Sequence, residues 1–368
     1  MKKVCLITYS GSPNYGAALQ LLATYQVFQD MGCDVSVVNY QNQFESQKTG
    51  LRFLLSSVSI KEKLREFISS YIFGVKKNSK NNFSDFYNRM KYTSKITSID
   101  EMELIGDFDI YCVGSDQVWN PYITNGFDDV FILNSNVPRK KISYASSMGS
   151  CTASEFSENK FIQSLKNFDY ISVREEVAVK YLEKRINKSV KKVVDPTFLL
   201  GADGWDQFAE CSSSNFAINE KYVLIYALGG DFESNKKVAS KIAQMLGVKL
   251  YAITLSNRNK GIDRVISNAT PFDFVQYIKN ASFVVTNSFH GTCFSLMMKV
   301  PFYSVRFGAN PVRTEELLSL CKLENRLFKT GDVIDEKMLK NDDILKSKNE
   351  LDLLVADSLE WLRRAVYE

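Results

Sequence analysis

The feature that most restricts what this chain can fold into is a strand–loop–helix–strand unit at its start, restarted in kind after residue 220. The run VCLITY is short and apolar, and the loop SGSPNYG follows it. In AALQLLATYQVFQDMG, Leu21, Tyr25 and Phe28 recur at helical spacing, and Gly32 is placed to stop the helix. DVSVVNY then reads as a second strand. A strand, a helix and a strand in succession ask for a parallel sheet, because parallel neighbours need a long crossover between them.

More β-rich runs continue the pattern: FDIYCVG, KISYAS, DYISVR and KKVVD. After DPTFLL comes a polar, Ser-rich segment near Ser212 and Asn219, and the alternation begins again. KYVLIYAL, a helix over 233–246, VKLYAIT, a helix over 272–279, FVVTNS, a further helix and PFYSVRF form the second series. The length of 368 residues exceeds one ordinary core. The reading is therefore α/β, with two Rossmann-like domains facing a central cleft. The expected division is an N-terminal domain over 1–200, a C-terminal domain over 201–345 and one long amphipathic helix over 346–368.

Composition narrows the class. The apolar share of 45% and charged share of 24% are those of a soluble globular protein. A net charge of +4 is too mild to mark a nucleic-acid binder. The seven cysteines are scattered, contain no CxxC pair and stand beside a single histidine, so zinc sites of the common kinds are not expected. No metal and no cofactor is expected. The start MKKVCLITYSG has too short an apolar run for a secretion signal, and no window has the length of a bilayer span. A reduced, cytoplasmic protein is the expectation.

One stretch breaks the rhythm. Residues 48–80 hold eight Lys or Arg against two Glu, a local charge of +6, so the remainder carries −2. Leu64, Phe67, Ile68, Tyr71 and Ile72 share a helical stripe. A helical insertion near residues 48–95 is expected. Its stripe fits either a cap on the first domain or a peripheral contact with the anionic inner-membrane face or a lipid-linked substrate.

Four places could carry chemistry. Asn14, Tyr15 and Gly16 sit between the first strand and its helix, where a doubly wound fold binds ligands and a helix start favours anions. The loop lacks GxGxxG and a Walker lysine, so a plain helix start is the competing reading. In VGSDQVWNP, Asp116, Gln117, Trp119 and Asn120 put a carboxylate, two amides and an indole on one loop, a set suited to sugar hydroxyls and a pyranose face. Asp116 could take a proton from an attacking hydroxyl. The alternative is an Asx turn with Trp119 packed in a core.

In ISVREE, Arg174 stands where a strand gives way to a helix; its planar fork suits phosphate or carboxylate, and a pair with a distant acid is the competing role. His290, the chain's one histidine, lies in TNSFHG between an apolar strand and the helix TCFSLMMK. A helix start disfavours an imidazolium while a bound phosphate dianion favours it, a combination that suits a general acid. A hydrogen-bonded core histidine is the competing reading. Arg306, Arg313 and Arg326 follow as cations for the same anion.

Taken in order, NYGAALQ, VGSDQVWNP, SYASSMG, ISVREE, VVDPTFLL and TNSFHGTCFSL with PFYSV resemble the polysaccharide pyruvyl transferase family, from about residue 3 to about 327. The resemblance implies a GT-B-like fold and transfer of a pyruvyl group from phosphoenolpyruvate, as co-substrate, to a sugar as a cyclic ketal. The acceptor would be a sugar or lipid-linked oligosaccharide of a surface-polysaccharide precursor, with no nucleic acid involved. It implies His290 as the acid and Arg174 at an anion-binding position; Ser288, Phe289, Gly291 and Arg313 are expected beside them on the donor side. Asp116 would serve as base, with Asn14, Tyr15, Gly16, Gln117, Trp119 and Asn120 toward the acceptor. The family's R-x-H-G reads Ser288-Phe289-His290-Gly291 here, so Ser288 stands where the family has an arginine that helps hold the donor. That departure leaves two alternatives: a nucleotide-sugar-dependent glycosyltransferase of the same architecture, and a non-catalytic sugar-binding relative.

Overall fold

A computed structural model describes residues 1–41, 83–135, 137–149, 158–210, 218–228, 232–254, 260–306 and 312–368. The chain divides into two compact units, Met1–Pro196 with Asp357–Glu368, and Thr197–Ala356.

The first unit is built on a seven-stranded parallel sheet of order β3-β2-β1-β4-β5-β6-β7. Its strands are β1 (Lys3–Ile7), β2 (Asp34–Tyr40), β3 (Tyr92–Ile96), β4 (Ile110–Val113), β5 (Lys140–Ser146), β6 (Tyr170–Val173) and β7 (Lys191–Lys192). Its helices are α1 (Tyr15–Asp30), α2 (Pro121–Thr124), α3 (Glu158–Leu165) and α4 (Glu176–Ile186). Every residue of β4 is buried, as expected of a strand covered on both faces. Cys5, Tyr111, Trp119, Phe161, Phe168 and Leu182 are among the buried residues of its core. α1 begins where Asn14 caps it and ends two residues before Gly32, whose φ of +78° lets Cys33 N reach Phe28 O at 3.0 Å. That is the stop the sequence asked for.

The second unit holds a six-stranded parallel sheet of order β10-β9-β8-β11-β12-β13. In chain order it runs α5 (Gly201–Glu210), β8 (Tyr222–Tyr226), α6 (Phe232–Leu246), β9 (Lys249–Ile253), β10 (Arg264–Ile266), α7 (Pro271–Lys279), β11 (Phe283–Thr286), α8 (Phe289–Met297), β12 (Phe302–Arg306), α9 (Val312–Leu320), β13 (Leu327–Lys329) and α10 (Asp342–Lys346). α7 has a complete capping box, Thr270 with Asp273, and a proline at its start. In each sheet the order reverses beside the first strand of the series, between β1 and β4 and between β8 and β11. Those two places are the topological switch points where open α/β sheets bind ligands.

One expectation meets a different outcome in part. The helical insertion over 48–95 lies outside the described residues as far as 82; residues 83–87 are helical, but Tyr92–Ile96 is the edge strand β3. Its Thr and Ile favour a strand, and it pairs with β2. The C-terminal helix expected over 346–368 is α11 (Lys348–Tyr367); the short α10 precedes it and ends at Ser347, whose hydroxyl donates back to Ile344 O at 2.9 Å. The last turns of α11 belong to the first unit: Ser358 accepts from Val194 N at 3.1 Å, and Trp361 lies 6.2 Å from the Tyr170 ring. Among the described residues, no helix is long and apolar enough to cross a membrane.

Candidate functional site

In the first unit, the motif loops leave the carboxyl ends of β1, β4, β5, β6 and β7, so parallel topology gathers them along one edge. Thr8 Oγ1 donates to Ser115 O at 2.8 Å and so ties the loop after β1 to the loop after β4. Gly114 makes that approach possible, since a Cβ there would stand 3.1 Å from Leu6 and 3.2 Å from Thr8.

The centre of this edge is a buried charge cluster. Arg174 NH1 meets Asp195 Oδ2 at 2.5 Å, with both side chains almost wholly buried. Arg174 NH2 faces Asp116 Oδ1 across 3.5 Å, and the Asp116 side chain keeps 17% exposure. One guanidinium thus serves two carboxylates, the outer of which reaches solvent. Asp116 sits at φ +75°, uncommon for a residue with a Cβ, and its backbone bridges to Ser146 of β5. Such a held, strained carboxylate is a feature of functional sites. Beside it, the buried Ser147 hydroxyl donates to the buried Glu175 carboxylate.

The distant acid that sequence left as a competing partner for Arg174 is Asp195, from the VVDPTFLL motif. Ser147 and Glu175 were not singled out by the sequence. The signal for Asp195 was present, as an acidic residue closing a strand before Pro196.

Of the residues expected to meet the acceptor, Gly16, Trp119 and Asn120 are buried, Tyr15 is half-buried and Asn14 is exposed. Trp119 is 0% exposed, donates its indole N–H to Phe131 O at 2.9 Å and packs edge-on to Phe161. It offers no face to a sugar; the core reading was the right one. Asn14 caps α1 by accepting from Ala17 N, and Gly16 is buried in its first turn. Tyr15 packs against Phe83 at 5.2 Å. Asn120 caps α2 and donates to Gln117 Oε1 at 2.7 Å, closing a pair over Gly149.

In the second unit the loops after β8 and β11 are clamped by Asn287, which accepts from Leu228 N at 2.7 Å and donates to Leu228 O at 2.9 Å. Ser288 caps α8, its hydroxyl accepting from Gly291 N at 3.3 Å, and is 3% exposed. The hydroxyl that stands in the arginine position of the R-x-H-G motif serves here as a helix cap. His290 lies in the first turn of α8, buried, with its ring 5.3 Å from that of Phe289. Arg313 stacks its guanidinium 5.1 Å from the Phe289 ring, while Arg306 pairs with Glu315 at 2.7 Å. Arg326, expected as a cation for the donor, is 0% exposed and bonds Met338 O, Lys340 O and Asp343, so it is structural.

Gly291 has no room for a side chain: a Cβ would lie 2.3 Å from Thr286 Oγ1 and 3.1 Å from Tyr226. That hydroxyl is itself held, donating to Tyr226 O at 2.6 Å and accepting from Ser288 N. Gly291→Ala is expected to destabilise the second unit by about 1–3 kcal/mol, the cost of overpacking a close-packed site. Denaturant unfolding of wild type and variant measures it, and an unchanged midpoint would mean the loop yields freely.

No cluster of His, Cys, Asp and Glu that could hold a metal occurs among the described residues. A cavity of about 510 Å³ at Arg139, Lys140, Lys141 and Asp169 opens where β5 begins, at the opposite edge from the motif loops. It takes no residue from them.

The model of the family described as polysaccharide pyruvyl transferase matches residues 14–307. No curated protein matches the chain. Among solved structures, S. aureus MnaA with UDP is similar at 14% identity and a TM-score of 0.52, over 98% of this chain and 91% of that one. UDP-GlcNAc 2-epimerase from Neisseria meningitidis, bound to UDP-GlcNAc, is similar at 12% identity and a TM-score of 0.51, over 100% and 95%. At such identities the likeness is one of fold, the GT-B class of two Rossmann-like units.

Proposed function

Because the chain belongs to the polysaccharide pyruvyl transferase family, we propose that it transfers a pyruvyl group from phosphoenolpyruvate to a sugar of a surface-polysaccharide precursor and closes it as a cyclic ketal. The observation that carries this reading is the family match over 14–307, which takes in His290 and all the motif loops of the first sheet.

In this reading the imidazolium of His290 gives its proton to the methylene carbon of the donor, making a methyl group and an electron-poor C2. A sugar hydroxyl adds to C2, and its proton passes to Asp116. A second hydroxyl displaces phosphate as the C2–O bond breaks, and the phosphate leaves with that hydroxyl's proton. The sum is phosphoenolpyruvate plus a diol giving the ketal plus hydrogen phosphate. Asp116 becomes neutral on taking the proton, while Arg174 keeps Asp195 as its buried partner. Arg174 otherwise holds Asp116 in place across their 3.5 Å contact. Loop amides at the start of α8 and the Arg313 guanidinium take the donor side. The acceptor would reach the protein as a sugar or lipid-linked oligosaccharide.

A nucleotide-sugar reaction is the second reading, favoured by Ser288 and by the UDP that MnaA carries in the same fold. Calorimetric titration with phosphoenolpyruvate, UDP and GDP separates the two. Heat with phosphoenolpyruvate alone, lost in Arg313→Ala, is the expected result. Binding of a nucleotide without phosphoenolpyruvate would sink the pyruvyl reading.

A further inference from the structure

A cavity of about 470 Å³ opens at the carboxyl ends of β1, β2 and β3, inside the first unit. Its size falls in the range of small-ligand sites, about 300–1,000 Å³. Tyr40, Tyr87 and Tyr92 supply aromatic walls, while Asn39, Gln41 and Lys95 supply exposed amides and an ammonium. Nothing in the function proposed above uses any of them.

The register of the edge pair explains how this set assembles. Val37 pairs with Tyr92 and Asn39 with Lys95, so two residues of β2 are matched by three of β3. The extra residue is a bulge. In a regular strand, positions 92 and 95 would point to opposite faces; a bulge re-aims the chain so that both line one cavity. Bulges of this kind are frequent beside functional sites.

Two walls are fixed by bonds of their own. Tyr40 donates its hydroxyl to Asp128 at 2.8 Å, and Tyr87 donates to Ser12 O at 2.8 Å. A preformed wall costs a ligand little ordering entropy.

The cavity also adjoins the charge cluster. Ser10 and Gly11 line it, and they belong to the loop that Thr8 ties to Ser115, next to Asp116. Tyr87 lies within the electrostatic reach of Asp116: burial first, then Tyr92 and Asp116, push its hydroxyl above the ordinary tyrosine range.

We propose that this cavity is a sugar-binding subsite, holding the saccharide unit next to the one whose hydroxyls face Asp116. Aromatic faces take the apolar side of a pyranose, and Asn39, Gln41 and Lys95 bond its hydroxyls. The assignment rests on the pyruvyl-transfer reading for the acceptor's identity. The binding of a sugar there does not depend on the donor.

The test is saturation-transfer NMR on the full chain with methyl pyranosides of glucose, galactose, mannose and N-acetylglucosamine, for wild type and Asn39→Ala/Lys95→Ala. Two lost neutral or singly charged hydrogen bonds correspond to roughly a tenfold or greater fall in affinity. The expected result is saturation of at least one glycoside by wild type and its loss in the double variant, with the thermal midpoint unchanged. Equal saturation in both proteins, or none with any glycoside, overturns the subsite. Parallel titration with phosphoenolpyruvate keeps the two ideas apart. Sugar binding without donor binding would fail the pyruvyl reading and leave the subsite standing; donor binding without sugar binding would do the reverse.

Discussion

Replacing His290 with alanine is expected to lower turnover about 10²–10⁴-fold, the usual contribution of a positioned general acid, while the second unit stays folded. His290 is in the first turn of α8, directly after the strand β11 at the switch point of the second sheet. Its loop is fixed on both sides, by the Asn287 clamp to Leu228 and by the Ser288 cap to Gly291. An imidazole held so firmly is suited to deliver a proton to one carbon and not to its neighbours. The side chain is buried, so the alanine variant loses some packing as well. His290→Gln controls for that, because it keeps size and polarity without an acid of useful strength. Phosphate release from phosphoenolpyruvate in the presence of acceptor gives the rate. If both variants turned over within about threefold of wild type, no general acid could reside at this position.

Removing the arginine at Arg174 is expected to be as costly to stability as the first change is to rate. Asp195 is 2% exposed and bonds Arg174 at 2.5 Å. Arg174→Ala leaves that carboxylate buried without its cation, for which the typical loss is about 3–5 kcal/mol. The Arg174→Met/Asp195→Leu pair removes both charges and fills their volume, and is expected to recover most of the loss. Activity is expected to stay low in the pair, because Asp116 no longer has a cation 3.5 Å away. Urea unfolding followed on the first unit's transition reads the stability, and phosphate release reads the chemistry; the two units make one global free energy unsuitable. A pair variant no more stable than Arg174→Ala would mean that the ion pair is not what that residue contributes.

Much of the architecture was legible because it is local. Apolar runs separated by helical periodicity announced two parallel sheets, and Gly32 announced where α1 ends. The loops NYGAALQ, VGSDQVWNP, ISVREE and TNSFHG were picked out by dense polarity beside buried strands, and each does leave the carboxyl end of one. Parallel topology explains why that suffices: once every strand points the same way, every strand-to-helix loop opens on the same edge.

What a side chain does on that edge was not local. Trp119 looked like a sugar platform, yet its indole N–H is taken by Phe131 and its ring by Phe161, a residue far along the chain. Ser288 looked like a substitute for a donor-binding arginine, yet its oxygen is used by Gly291 three residues on. Arg174 could have gripped an anion or paired with an acid, and only the fold brought Asp195 to it. The tyrosine-lined cavity beside β3 gave no signal, since it depends on an extra residue in the pairing with β2. The sequence by itself determined the alternation, the two sheets and the loops that matter, because periodicity and turn chemistry act over a few residues. The tertiary structure alone decided which polar groups remain for a substrate, because a hydrogen bond or a charge can be spent on any partner that folding brings near.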